Sequence, residues 1–261
     1  MTIQDIIQRI EAFAPRLLQE SYDNSGLQVG RVDTEVNSAL LCIDITEMVI
    51  DEAIEAGIKF IISHHPLIFH GIKSLTGKNY IERIVIKALK NDITIYSAHT
   101  NLDNAQWGVN QAIAYKLKLQ DIKVLEQRAN MPIMAGAGMV GFLEEPMEYL
   151  DFLQQLKAVF NCGVVKYSNP LGKKIHKVAV CGGSGSFLIP KAIEIGADIF
   201  VTGEIKYHDF FGNDEQIMLA DIGHYESEQF TSSLIANIIT DKYPAFELYV
   251  TKVNTNPINY L

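Results

Sequence analysis

Short apolar runs alternate with amphipathic stretches along most of the chain, and this alternation constrains the fold more than any other feature. Candidate strands are 39–45 (ALLCIDI), 58–63 (IKFIIS), 93–98 (ITIYSA), 176–182 (HKVAVCG), 198–202 (ADIFV), 216–221 (QIMLAD) and 247–253 (ELYVTKV). Between them, helical spacing runs over 47–56, 79–90, 106–116, 187–195 and 226–240. Strands separated by helices are joined by crossovers, so the expected class is α/β with mostly parallel, covered sheets. At the N-terminus, Ile3, Ile6, Ile7, Ile10 and Phe13 mark the buried stripe of one more helix. The segment 138–167 reads differently, as a strand, a helix near 147–160 and a second short strand. It fits an antiparallel edge or a spacer between two halves.

The chain also echoes itself. Shifted by 139 residues, Leu41–Gly57 falls on Val180–Gly196, with identities at Cys42/Cys181, Ile50/Ile189, Ala53/Ala192, Ile54/Ile193, Glu55/Glu194 and Gly57/Gly196. Phe60-Ile61-Ile62-Ser63 then falls on Ile199-Phe200-Val201-Thr202, and His64-His65 on Gly203-Glu204. Any two strand–helix–strand units share some pattern. The alternative is two related α/β halves, 1–125 and 126–261, forming one compact unit with polar strand ends around a cleft. Ligands of α/β sheets bind beyond the carboxyl ends of strands.

Composition removes several classes. Of 261 residues, 48% are hydrophobic and 20% charged, which is globular rather than disordered. No apolar run approaches the roughly 18 residues of a spanning helix, so no membrane partner is expected. Lys and Arg number 22 against 31 Asp and Glu, a net charge of −9, which argues against a nucleic-acid partner. Three scattered cysteines, Cys42, Cys162 and Cys181, form no zinc-ribbon pair and fit a reducing compartment. Asp5 and Glu11 interrupt the N-terminal stretch, which does not read as a signal peptide; a cytoplasmic location is expected.

Most of the seven histidines sit at expected strand ends beside carboxylates. In Ser63-His64-His65-Pro66, adjacent side chains of a strand would point to opposite faces. They serve one site only if the chain has left the strand, which Pro66 favours; otherwise they are loop histidines bonded to nearby backbone. His99-Thr100-Asn101-Leu102-Asp103 follows another strand. There Asp103 is a candidate oxygen ligand, and His99 a ligand, a ligand-orienting group or a proton carrier. Asp and Asn are also common at helix starts. His224 and Glu228 lie four apart and share a helix face, a spacing that chelates. Acids near a helix N-terminus also complement its dipole, a reading that covers Glu226 and extends to Glu228 but does not call for a histidine in the first turn. Glu204 leaves a buried strand at the position matching His65; it reads as a general base, a ligand-orienting acid or a surface cap. His64, His65, Asp103, His224 and Glu228 together offer imidazoles and carboxylates with no thiolate. Five such donors suit two ions with a bridging carboxylate, and Zn, Mn, Fe, Co and Ni all fit. The loop Cys181-Gly182-Gly183-Ser184-Gly185-Ser186 is either a tight strand-to-helix turn or a phosphate cradle.

These motifs, YDNSGLQVG (22–30), SHHPLIF (63–69), AHTNLDNAQWGVN (98–110), VAVCGGSGSFLI (178–189), TGEIKYHD (202–209) and DIGHYESE (221–228), resemble the dinuclear-metal proteins named type 2 homologs of GTP cyclohydrolase I. The resemblance runs from about residue 1 to 255. Tyr22 departs from it, since the family often has Trp there, and the length resembles the compact form without an inserted domain. It implies one ion on His64, Asp103 and Glu228, a second on His65, His224 and Glu228, and a homohexamer. It also implies hydrolytic opening of the guanine imidazole ring of GTP with loss of formate. On a hydrolase reading, Glu204 or His99 moves protons and the partner is a nucleotide-like molecule. Two functions compete: a metal-dependent hydrolase, and a non-enzymatic hexameric metal-binding, regulatory or chaperone-like protein.

Overall fold

The computed structural model describes residues 1–127, 135–213 and 215–261. Its strands in chain order are β1 (Gly26–Val29), β2 (Ser38–Cys42), β3 (Phe60–Ser63), β4 (Thr94–Ser97), β5 (Gln120–Gln127), β6 (Gly136–Met147), β7 (Lys166–Tyr167), β8 (Ile175–Cys181), β9 (Ile199–Thr202), β10 (Met218–Asp221) and β11 (Glu247–Val250). The helices are α1 (Ile3–Phe13), α2 (Glu47–Glu55), α3 (Tyr80–Lys90), α4 (Thr100–Asp103), α5 (Val109–Lys116), α6 (Tyr149–Val159), α7 (Ile189–Glu194), α8 (His224–Glu228) and α9 (Thr231–Thr240). Each of the seven expected strands is present, and the fold is mixed α/β with two sheets. The expected helix over 226–240 is two helices, interrupted at Gln229 and Phe230. No helix among the described residues is long and apolar enough to cross a membrane.

The chain forms two units. The first comprises Met1–Leu102 and Phe230–Pro257 and holds a sheet of order β1-β4-β3-β2-β11. Its central strands β2, β3 and β4 are parallel and almost wholly buried, as continuous apolar runs require. Leu40, Ile61 and Ile95 pack with Val49, Ile50 and Ala53 of α2 and Ile84, Val85 and Ala88 of α3. Alternate residues serve the other face, where Tyr96 Oη donates to Glu11 on α1 at 3.2 Å. Helix α1 begins with a capping box between Thr2 and Asp5.

The second unit comprises Asp103–Gln229 and Ile258–Leu261, with a sheet of order β5-β6-β8-β9-β10-β7. Strands β8, β9 and β10 are parallel. The segment 138–167 supplies antiparallel neighbours, β6 beside β8 and the short β7 beside β10. Ala179, Cys181, Phe200 and Leu219 pack with Leu188, Ile189 and Ala192 around α7.

The echo is reproduced within each unit. Cys42 pairs with Ser63 across β2 and β3, and Cys181 pairs with Thr202 across β8 and β9, the same register at the 139-residue offset. Gly57 and Gly196 have φ of 68° and 67°, the left-handed conformation that ends α2 and α7. Ile58 N bonds Ala53 O at 2.8 Å, and Ala197 N bonds Ala192 O at 3.0 Å. Each parallel trio is edged by an antiparallel strand, β1 on β4 and β7 on β10. His65 and Glu204 each stand two residues beyond the end of their strand.

Candidate metal centre

In the first unit, β3 ends at Ser63, and the chain then continues along β2, with His64 N on Cys42 O at 3.1 Å and His65 N on Ile43 O at 2.9 Å. The Ser63 and Ser97 hydroxyls both donate to His65 O, at 2.8 and 3.3 Å. Two successive amides turned to the same neighbour break the alternation of a regular strand, so the adjacent imidazoles come together, with ring centroids 4.9 Å apart. His99, from the turn after β4, completes the group at 5.3 Å from His64 and 5.4 Å from His65. Nitrogen atoms of the three rings lie within 4.8 Å of one another, so this partly buried cluster could hold a metal ion.

The backs of these rings are fixed. His64 Nδ1 meets Ala98 O at 2.9 Å, His65 Nδ1 meets Asp44 Oδ1 at 2.7 Å, and His99 Nδ1 meets Asp23 Oδ1 at 2.7 Å. A carbonyl oxygen only accepts, so neutral His64 carries its proton on Nδ1 and its lone pair on Nε2. An ionised carboxylate imposes the same tautomer on His65 and His99. Both carboxylates stay ionised. Burial alone would raise the Asp23 carboxyl, but donation from His99, Thr100 and Ser25 holds it well below the usual carboxylate range. Asp44 is likewise lowered against burial by His65 and Thr255, whose hydroxyl donates to its second oxygen at 3.2 Å. Acceptors behind metal-binding histidines orient the ring and raise its basicity. The donor chemistry therefore fits a divalent ion of the imidazole-loving series.

In the second unit, Asp221 is buried and ties together the turns beyond two strands. It accepts from Ile205 N and Gly223 N, each at 3.0 Å, and pairs with Lys166 Nζ at 2.5 Å. Gly223, at φ 93°, then starts α8. One turn apart on that helix, His224 Nε2 and Glu228 Oε2 are 3.2 Å from each other. Glu204 Oε2 reaches His224 Nδ1 at 3.4 Å, the position of a ring-orienting acid. Glu228 is almost fully buried, whereas Glu204 is half exposed. Asp103 ends α4, and its carbonyl accepts from Asn110 Nδ2 at 3.1 Å.

In the Gly-rich loop the three glycine amides are committed within the protein. Gly182 N donates to Asn110 Oδ1, Gly183 N to Ser227 Oγ and Gly185 N to Thr202 Oγ1, at 2.9, 2.9 and 3.0 Å. Its small residues make room for the acid instead: a Cβ on Gly183 would stand 2.4 Å from Glu228 Oε1.

A sequence model of the Duf34/NIF3 (NGG1p interacting factor 3) family matches residues 1–257. The chain belongs to this family. Similar Duf34/NIF3 relatives include the "GTP cyclohydrolase 1 type 2 homolog" of Clostridium perfringens, 33% identical with all of both chains covered. The protein of the same name from Clostridium acetobutylicum is 35% identical, covering 87% of this chain and 85% of its own. Among solved structures, the Staphylococcus aureus hypothetical protein SA1388 superposes with a TM-score of 0.91 at 30% identity, covering 100% of this chain and 99% of its own.

Of the candidates that the sequence of this Duf34/NIF3 chain offers, His64, His65 and His99 converge in the first unit, and Glu204, His224 and Glu228 in the second. His176 lies instead against Phe142, and His208 between Tyr207 and Phe211. Asp23, Asp44, Asn110 and Ser227, which position the converging groups and the Gly-rich loop, carry no such signal of their own except Asp44. Asp44 had a usable signal, a carboxylate just past the end of a buried strand. Asp23 stands 76 residues before His99, and no local pattern joins them.

Proposed function

We propose that this protein is a metal-dependent hydrolase carrying two divalent ions. His64, Asp103 and Glu228 would hold one ion, and His65, His224 and Glu228 the other, as the resemblance to dinuclear proteins implies. The observation that carries metal binding is the trio of converging imidazoles with an acceptor behind every Nδ1. Bound there, the ions would supply Lewis acidity that activates water. Glu204 holds His224 through Nδ1 and, being half exposed, exchanges protons with solvent. His99, backed by ionised Asp23, gives and takes a proton beside His64 and His65. Asp44 keeps His65 in the ligand tautomer. The names of the clostridial relatives make GTP the first substrate to test, with a purine nucleotide as the partner class. The protein works as a cytoplasmic homohexamer on this reading; the three buried free thiols suit a reducing compartment.

Elemental analysis should find up to two divalent ions per chain in the purified protein, and Glu228→Ala should reduce both. His64→Ala or Asp103→Ala should weaken one ion more than the other, and light scattering should give a hexamer. The metal-loaded protein should then release formate from GTP, with Glu228→Ala inactive. Metal retention without turnover across Mn, Zn, Fe and Ni would transfer the protein to the non-enzymatic class. Metal retention after loss of all five ligands would overturn the site.

A further inference from the structure

Two large aromatic side chains stand exposed beside the histidine cluster of the first unit, where burial would normally claim them. Tyr22 is 61% exposed and Phe69 is 39% exposed. Their ring centroids are 6.3 Å apart with the planes tilted by 38°. Phe69 also meets His99 edge-on at 6.2 Å, so the aromatic surface is continuous with the imidazole cluster. The loop that carries Phe69 is pinned. Asn24 Nδ2 donates to Ile68 O at 2.6 Å, and Ile68 N donates to Gln28 Oε1 at 3.1 Å. The residue before Phe69 is thus tied through both its backbone groups to the segment that follows Tyr22. The rings are displayed by a fixed backbone, which lowers the ordering cost of a ligand that stacks on them.

We infer that Tyr22 and Phe69 form the shelf on which a planar heteroaromatic ring of the substrate stacks, a nucleobase being the ligand class of matching size and chemistry. An exposed aromatic face next to polar donors favours a ring that is flat on one side and hydrogen-bonding at its edge. The edge of His99 turned away from Asp23, which neither proposed ion uses, supplies that polar side here. The assignment deepens the proposed function, because it names what the metal centre would act on and rests on that centre lying beside the shelf.

The test uses the full chain loaded with Mn or Zn, with calorimetric titration of three probes: GTP, inorganic tripolyphosphate and guanosine. Stacking predicts that GTP binds the wild type at least tenfold more tightly than tripolyphosphate. Phe69→Leu and Tyr22→Ser should each weaken GTP and guanosine by about 5- to 100-fold. Both variants should leave tripolyphosphate affinity and metal content unchanged, which also reports that they fold. Phe69→Trp should keep the preference for the base. Equal affinity of the wild type for GTP and tripolyphosphate, or variants that keep the base preference, would overturn the shelf. Absence of bound metal would defeat the proposed hydrolase separately, since guanosine binding and its loss in the variants still judge the shelf.

Discussion

Gly183→Ala tests whether the Gly-rich loop exists to seat Glu228. Two costs arise at this position. The backbone has φ of 59°, where a side chain costs about 1–2 kcal/mol. The new Cβ would also stand 2.4 Å from Glu228 Oε1, 3.3 Å from its Cδ and 3.4 Å from His224 Nε2. The first of these distances is far inside van der Waals contact, so something must move. If the loop retreats, it loses the bonds from Gly183 N to Ser227 Oγ and from Gly203 N to Gly183 O, both 2.9 Å. Each is a buried bond whose loss costs about 1–3 kcal/mol. If Glu228 moves instead, a buried carboxylate leaves its place beside His224. If the loop retreats, the variant should therefore lose about 3–8 kcal/mol, or roughly 6 °C or more in the melting temperature. It should also bind divalent ions at least tenfold more weakly. Gly196→Ala is the matched control, because φ is 67° there and nothing lies within 4 Å of the added carbon. It should cost only the backbone strain of about 1 kcal/mol and leave metal binding intact. Thermal melts and metal titrations on both variants decide the matter. If Gly183→Ala proves as mild as Gly196→Ala and keeps its metal affinity, the loop does not seat the acid.

Asp198 accepts from His176 N, Lys177 N and Lys173 Nζ at 2.9, 2.7 and 2.6 Å, and these donors lower its carboxyl against the opposing effect of burial. A lowered folded-state value gives stability that is present above the ordinary carboxylate value, about 3.9, and lost as pH falls through the folded one. Asp198→Asn should therefore cost about 1–3 kcal/mol at pH 7, and chemical denaturation should show the gap from wild type closing below about pH 4. Burial, reinforced by Glu226, pushes the Cys162 thiol up to about 12, and burial with Asp44 and Glu52 raises Cys42 as well. Both thiols should resist a thiolate-directed reagent at pH 8 until the protein is unfolded; rapid labelling of the native protein would contradict this. Thr2→Ala removes the hydroxyl that caps α1 and should lower stability by about 1 kcal/mol in an equilibrium melt.

Much of the candidate cluster is legible in the sequence because the patterns that carry it are short. His224 and Glu228 announce themselves by helical spacing, and His64-His65-Pro66 by the end of an apolar run. The glycine at 57 and its counterpart at 196 mark helix ends that the backbone confirms at φ of 68° and 67°. Strands β1 and β5 escaped notice for opposite reasons. β1 is four residues long, starts with glycine and is held by antiparallel pairing to β4. β5 is largely exposed, so its polar sequence QDIKVLEQ carries little strand signal.

The sequence by itself determined the α/β class, the repeated strand–helix–strand unit and the residue types at the strand ends. Hydrophobic periodicity and helix termini are local properties, written within a few residues of where they act. Tertiary structure alone decided which distant groups meet. Phe230–Pro257 returns to the first unit because β11 pairs with β2, more than 200 residues upstream in sequence. Asp23 finds His99, Thr255 finds Asp44, and Asn110 joins the Asp103 carbonyl to the Gly182 amide by the same kind of long-range closure. Such contacts depend on sheet order and on the path of connecting loops, which no single segment encodes. Nor does the spelling of Gly183 reveal its use; it becomes a requirement only when α8 brings the Glu228 carboxylate within 2.4 Å of where a Cβ would be.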